Sequence, residues 1–394
     1  MLKWLSVFVS ALMVSCSPVP NAGDMSLQKV AGFPKINTDF VSYQQQVAVY
    51  LTANKLANRS ADDIGLNMPF DFQADKGVAY QGRFLLFHGL NDSPYVWHDF
   101  AKEMVAKGFD VRAILLEGHG SHPRKMLNVT AKQWIDSAKA HYDIWANEKA
   151  APLYLGGFSM GAVLATSLAL DHPEVKGLFL VSPAFHSQLN NILSFSWVYS
   201  QFKPWLFGQM LTEDNPFKYN SIAINSAAAY YKVTQYLKTK WSNKALKMPV
   251  LMVHSVNDSV VDVGYSRALF TNRIKHDKKQ LLLYSPDLAD EQVKPNQIVR
   301  NSKNLHLKIL NQSHLSLINN KDNPLLGENG TLLVCNGNEY AIFSACLRAK
   351  KHWYGAQHSA SPDGVAVART TYNPDFDYLV TLFSQMFVAD NSER

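Results

Sequence analysis

Leu153-Tyr154-Leu155-Gly156-Gly157-Phe158-Ser159-Met160-Gly161-Ala162-Val163-Leu164 is the stretch from which the rest of the chain can be read. A short apolar run enters a serine flanked by glycines, and an apolar, alanine-rich run from Gly161 to Leu170 leaves it with helical character. The pattern predicts a strand, a sharp turn carrying Ser159 and a helix. Upstream, the same alternation predicts a buried strand at Phe84–Phe87, a helix over Val96–Lys107, a strand at Val111–Leu115 and a helix over Ala131–Glu148. Downstream it gives a strand at Leu178–Val181, then stops between His186 and about Lys247, where aromatic residues abound and no strand pattern is visible. It resumes with a strand at Val250–Val253 and a helix at Tyr265–Asn272. Two strand-like runs follow, Gln280–Tyr284 and His306–Leu310, and the second is assigned to the sheet because it enters His314. Apolar strands alternating with helices define an α/β class with a mostly parallel central sheet. Phe40–Asn58 suits an amphipathic helix packed on this domain, and Phe376–Val388 a closing helix.

A serine hydroxyl attacks a carbonyl only when a base removes its proton and preorganised donors receive the oxyanion. Gly157-x-Ser159-x-Gly161 supplies the nucleophile, with the N-terminus of the following helix favouring negative charge. Asn257-Asp258-Ser259 follows the Val250 strand, which makes Asp258 the candidate acid, with Asp262 as the competing carboxylate. Leu310-Asn311-Gln312-Ser313-His314 presents His314, among 13 histidines, as the candidate base. Serine, acid and histidine then come in a chain order unlike that of chymotrypsin-like and subtilisin-like enzymes. The backbone N–H groups of Met160 and of Leu90, in His88-Gly89-Leu90-Asn91-Asp92-Ser93, are the candidate oxyanion donors, and His88 is read as a brace for that loop. His119 and His122 have no metal-ligand spacing, and no metal is expected.

His88-Gly89-Leu90, Glu117-Gly118-His119-Gly120-Ser121, Gly157-Phe158-Ser159-Met160-Gly161, Asp258 and His314 together resemble the monoacylglycerol lipase and lysophospholipase-like carboxylesterase branch of the α/β-hydrolases over about residues 80 to 318. The resemblance implies an α/β-hydrolase fold, a catalytic triad, a helical cap shaping an acyl pocket, and no cofactor. It points to hydrolysis of a lipid-like or small ester. An aminopeptidase, amidase or acyltransferase of the same fold stays open, as does a surface binding protein without turnover.

The N-terminus suggests where this chemistry takes place. Lys3 followed by the apolar run Trp4–Val14 is too short to span a bilayer and fits a secretory signal. Leu12-Met13-Val14-Ser15-Cys16 resembles a bacterial lipobox, which implies a lipid anchor on Cys16 and, in a cell with two membranes, the outer one; a plain secretory signal is the alternative. The expected layout is a signal at 1–15, a tether at 16–37, a catalytic domain at 38–185 and 248–394 with an insertion at 319–374, and a cap at 186–247. Cys335 and Cys346 flank Asn336-Gly337-Asn338, a turn that would bring two strands together, and a disulfide between them suits an oxidising compartment; two buried thiols are the alternative. A net charge of +6 is spread along the chain without a long basic run, so nucleic acid is not an expected partner. No obligate protein partner is indicated, and the expected partners are substrate and membrane.

Overall fold

In the computed structural model, residues 32–36, 39–289, 293–335 and 340–389 are described. Cys16, the expected signal and nearly all of the expected tether lie outside the described residues. The central element is an eight-stranded sheet formed by β1 (Phe70–Phe72), β2 (Gly82–Phe87), β3 (Phe109–Ile114), β4 (Leu153–Phe158), β5 (Leu178–Val181), β6 (Val250–Ser255), β7 (Lys279–Ser285) and β8 (Gln297–Asn301). Their order is β1-β3-β2-β4-β5-β6-β7-β8, with only the edge strand β1 antiparallel to its neighbour. This is the α/β-hydrolase architecture.

The inner strands are apolar runs because both of their faces are covered. Successive side chains of β2 enter opposite cores: Phe84 and Leu86 pack with Phe100, Phe179 and Phe383, whereas Leu85 and Phe87 pack with Leu155, Val163 and Leu180. The first face is covered by helices His98–Ala106 and Phe376–Phe387, the second by Ala131–Glu148, Met160–Asp171 and Ile224–Asn243. Thr130 and Gln133 form a reciprocal capping box that starts Ala131–Glu148 at the expected residue. All residues from Met160 to Leu170 are buried, so this helix has no polar stripe.

Two expectations about strands fail. The run His306–Leu310 is not a sheet strand: Lys308 has a φ of 54°, Leu305–Lys308 turns, and Ile309 makes only isolated bridges to Asn304 and Tyr354. The other run, Gln280–Tyr284, lies in the sheet as β7, and the last sheet strand before His314 in sequence is β8, whose mixed polarity reflects its place at an edge. Cys335 and Cys346 are disulfide-bonded, with Cα atoms 6.0 Å apart, but the second cysteine sits on the helix Tyr340–Arg348 rather than on a strand. The turn expected at Asn336-Gly337-Asn338 lies outside the described residues.

The segment between β5 and β6 contributes no strand to the sheet; it contains the short helices Asn190–Leu193 and Ser196–Tyr199 and the long helix Ile224–Asn243. Its aromatic residues divide. Trp205, Tyr230 and Trp241 are buried, whereas Phe195, Trp197, Tyr199, Phe202 and Phe207 are each more than half exposed.

Four histidines among the described residues are fully enclosed, His88, His119, His141 and His254, and the last three bear on stability. Burial pulls His119 and His254 down to about 4 and His141 down to about 3, so all three rings are neutral in the folded protein near neutral pH. Above the ordinary histidine value of about 6.5 they are neutral in both states and contribute no pH dependence. Below it the unfolded chain takes up protons that the folded rings refuse, so each subtracts up to about 1.4 kcal/mol of stability per pH unit until its folded value is reached. Urea unfolding is therefore expected to show stability falling from pH 6.5 towards 4. His141 packs edge-on against Tyr43 at 4.7 Å, so His141→Phe should fold and flatten that slope; equal slopes in both proteins would refute the assignment.

Candidate active site

Strand order brings the three candidate residues to one edge of the sheet. Ser159 follows β4, Asp258 follows β6, and His314 lies on the segment that returns after the edge strand β8. The C-terminal edge of a parallel sheet is where ligands of open α/β folds bind.

Ser159 has φ 54° and ψ −118°, outside the conformations an L-residue ordinarily adopts. The turn is held by what surrounds it. Its N–H donates to Val181 O at 2.9 Å, and its carbonyl accepts from Ala162 and Ala184, both at 3.1 Å. A methyl group at Gly161 would stand 2.2 Å from the carbonyl oxygen of Phe87, and one at Gly157 would stand 2.4 Å from Ala162 N. Only hydrogen fits at either place. Gly161→Ala is expected to lower stability by at least about 2 kcal/mol, because the obstructing atoms belong to the backbone; an unchanged urea midpoint would show that the turn has room to relax.

His314 Nε2 lies 3.0 Å from Ser159 Oγ, and His314 Nδ1 lies 2.6 Å from Asp258 Oδ2. All three residues are buried. Asp258 Oδ1 accepts from the N–H groups of Val260 at 2.8 Å and Val261 at 3.1 Å. Burial pushes the Asp258 carboxyl up, but His314 beside it and the Val260 N–H outweigh that, and its net shift is below the usual carboxylate range. Asp258 is therefore ionised at neutral pH, and the imidazole nitrogen facing it carries the proton. Asp262, the competing carboxylate, is elsewhere: it caps the helix Val263–Arg273 by accepting from Tyr265 N and stands 3.3 Å from His186.

The His88–Leu90 loop lies against Ser159, since a methyl group at Gly89 would come within 3.1 Å of Ser159 Cβ. His88 bridges two backbone segments, Nε2 accepting from Leu116 N at 3.0 Å and Nδ1 facing Gly89 O at 2.8 Å. That second bond fixes the Gly89–Leu90 peptide, and in a trans peptide the N–H points opposite the carbonyl. Leu90 N–H and Met160 N–H make no hydrogen bond among the described residues, so both are available to a ligand. His119 Nδ1 lies 3.1 Å from the carbonyl oxygens of both Leu116 and Glu117, and His122 caps the turn at Pro123–Leu127.

A model of the family described as serine aminopeptidase, S33, a hydrolase family, matches residues 79–286, more than half of the 394-residue chain. The chain belongs to this family. It is a hydrolase of the α/β-hydrolase type. The S33 match contains Ser159 and Asp258 and ends before His314. The chain is also similar to a thermostable monoacylglycerol lipase of Bacillus sp. (strain H-257), 30% identical over 100 residues, which cover 25% of this chain and 40% of the relative. The similarity thus spans less than half of that relative's length. Among solved structures it is similar to a soluble variant of the monoglyceride lipase of Saccharomyces cerevisiae, with 17% identity over 55% of this chain and 81% of the other and a TM-score of 0.46. It is likewise similar to the monoacylglycerol lipase of Paleococcus ferrophilus, with 19% identity over 55% and 88% and a TM-score of 0.45.

Three groups near the site of this S33 hydrolase had no signal in the sequence. His254, one turn of chain before Asp258, is buried with neither ring nitrogen hydrogen-bonded among the described residues. Lys218, from the segment between β5 and β6, stands 3.7 Å from the buried Asp92 of the loop after β2. Arg369 is buried beside the loop that carries Asp258. Lys218 and Arg369 are far in sequence from the motifs and reach them only through tertiary packing, while His254 is near Asp258 in sequence but carries no motif of its own.

Proposed function

We propose that this hydrolase cleaves carboxylic esters of apolar acyl groups through an acyl-enzyme on Ser159. The observation that carries the reading is the relay from Ser159 Oγ through His314 to Asp258, at 3.0 and 2.6 Å. His314 Nε2 takes the hydroxyl proton as Ser159 Oγ attacks the ester carbonyl. The N–H groups of Met160 and Leu90 receive the oxyanion. Collapse expels the alcohol, which takes the proton from the imidazolium, and a water deprotonated by His314 then releases the acid. Asp258 keeps the proton on Nδ1 and offsets the imidazolium charge.

An apolar, lipid-presented substrate is favoured by the exposed side chains of Leu189, Ile192, Phe195, Trp197, Tyr199, Phe202, Leu206 and Phe207. They lie in the segment expected as a cap, and Gln188 at its start donates to Asp258 O at 2.6 Å, which puts the segment beside the site. Aromatic and aliphatic groups without acidic neighbours suit a membrane interface. The family description favours aminopeptidase activity as the second reading. That activity needs a carboxylate for the substrate's ammonium group, whereas Asp92 faces Lys218 and Glu213 accepts from Asn220 N and Ser221 N.

Wild-type protein should be labelled by a fluorophosphonate and Ser159→Ala should not; a folded, unlabelled wild type would sink the nucleophile assignment and favour a binding protein. Asp258→Asn should lower kcat by about 10²- to 10⁴-fold. A panel of glycerol and nitrophenyl esters graded by acyl length, run beside aminoacyl nitroanilides, should show ester turnover dominating; faster anilide cleavage would select the aminopeptidase reading.

We also infer export and a lipid anchor at Cys16, on the sequence around it and on the Cys335–Cys346 disulfide, a bond that persists in oxidising compartments. Labelled palmitate should enter the wild type and not Cys16→Ala, and equal incorporation would overturn the anchor.

A further inference from the structure

We propose that Arg369 is a positioning residue for the triad, joining the acid loop to the base loop through the disulfide-bonded insertion. The inference rests on the Ser159, Asp258 and His314 reading above. Arg369 ends the strand β10 (Val367–Arg369), which pairs in parallel with β9 (Trp353–Gly355). Its guanidinium is buried, with Nη1 donating to Ser259 Oγ at 3.0 Å and Nη2 to Gln357 Oε1 at 3.1 Å. Ser259 is the residue after Asp258. The next residue along the chain, Thr370, grips the other loop: its Oγ1 donates to Asn311 O at 2.7 Å, and its carbonyl accepts from Ser313 Oγ at 2.6 Å. Ser313 is the residue before His314. Two consecutive residues of one strand end thus hold both neighbours of the Asp258–His314 hydrogen bond.

The strand is itself anchored. Arg369 N donates to Val334 O at 2.8 Å, and Ala368 packs with Cys335, Cys346 and Phe343. The disulfide therefore fixes the register at which Arg369 and Thr370 meet the two loops. Burying a guanidinium is costly, and an apolar side chain of similar length would fill the space without that cost. What the arginine adds is a directed pair of donors and a charge that interacts with Asp258. Burial pulls Arg369 down to about 10 while Asp258 opposes the shift, so the guanidinium stays charged at neutral pH.

Displacing an aligned catalytic group by about 1 Å can cost about 100-fold in rate. Arg369→Met, which keeps the length and removes the donors, is expected to lower kcat about tenfold or more per fluorophosphonate-titrated site, with KM for a short soluble ester changed less than about twofold. Arg369→Lys should recover kcat to within about threefold of wild type. Ser259→Ala, which removes the acceptor without emptying the buried position, should lower kcat several-fold. A purely structural role would lower the melting temperature and leave kcat per titrated site unchanged. If Arg369→Met does not fold, Ser259→Ala and Arg369→Lys decide: wild-type kcat in Ser259→Ala overturns the proposal. Asp258→Asn in parallel separates the two readings. If it abolishes turnover while the Arg369 and Ser259 variants behave as wild type, only the positioning role fails; if it stays active, the triad reading fails.

Discussion

The turn at Ser159 is the constraint on which the site depends. A residue with φ 54° between a strand and a helix persists only if its neighbours leave no alternative. Here the helix starts so close to β2 that Gly161 lies against the carbonyls of Phe87 and His88, and Gly157 lies against the backbone of Ala162. The same contact places the loop after β2 beside Ser159. One packing event therefore sets the serine, the N–H of Met160 and the N–H of Leu90 relative to one another, and His88 fixes the last of these through Gly89 O. The elements that make the turn possible also supply the two N–H groups proposed to receive the oxyanion.

How much of this could be read in the chain depends on how far each feature relies on tertiary context. The inner strands were legible because burial on both faces demands unbroken apolar runs, and Ala131–Glu148 was legible because Thr130 and Gln133 cap it. The edge strands were not. β1 reads Phe-Asp-Phe, and its Asp71 is there to meet the buried Arg112 at 2.6 Å. β8 carries Arg300, which pairs with Asp375 at 2.7 Å from the closing helix's start. Both partners are distant in sequence. The run His306–Leu310 has strand composition, yet Ile309 is buried against Tyr354 of the insertion, a contact that no local pattern encodes. Ser159 and Asp258 could be put forward because each follows an apolar inner strand, whereas His314 was reached through a run that forms no strand and rests on chain order alone.

The aromatic segment between β5 and β6 shows what composition leaves open. Richness in Trp, Tyr and Phe is compatible with an interior and with a greasy surface, and the segment uses both. Its second half packs Tyr230 and Trp241 into the sheet's core, with Tyr230 donating to Ala184 O at 2.8 Å beside the nucleophile turn. Its first half leaves Trp197 and Phe202 in contact with solvent. The buried half fixes the segment against the sheet, so the exposed half has a defined place on the surface.

Electrostatically, the site concentrates its charge compensation in one group. In the mechanism proposed above, conversion of His314 to an imidazolium would create a buried cation, which a low-dielectric setting penalises unless a fixed anion faces it. The other histidines nearby, His88 and His254, are driven neutral chiefly by burial. Asp92, the carboxylate on the loop after β2, is opposed by Lys218. Asp258 would then be the anion that meets the new charge, and His314 beside it and the Val260 N–H hold its carboxyl below the usual range against the opposing effect of burial. Its backbone position is set in turn by Gln188 from one side, and the neighbouring Ser259 is held by Arg369 from the other. The segment between β5 and β6 and the disulfide-bonded insertion therefore converge on the loop that carries Asp258, where, on the proposed mechanism, a small displacement would be felt most.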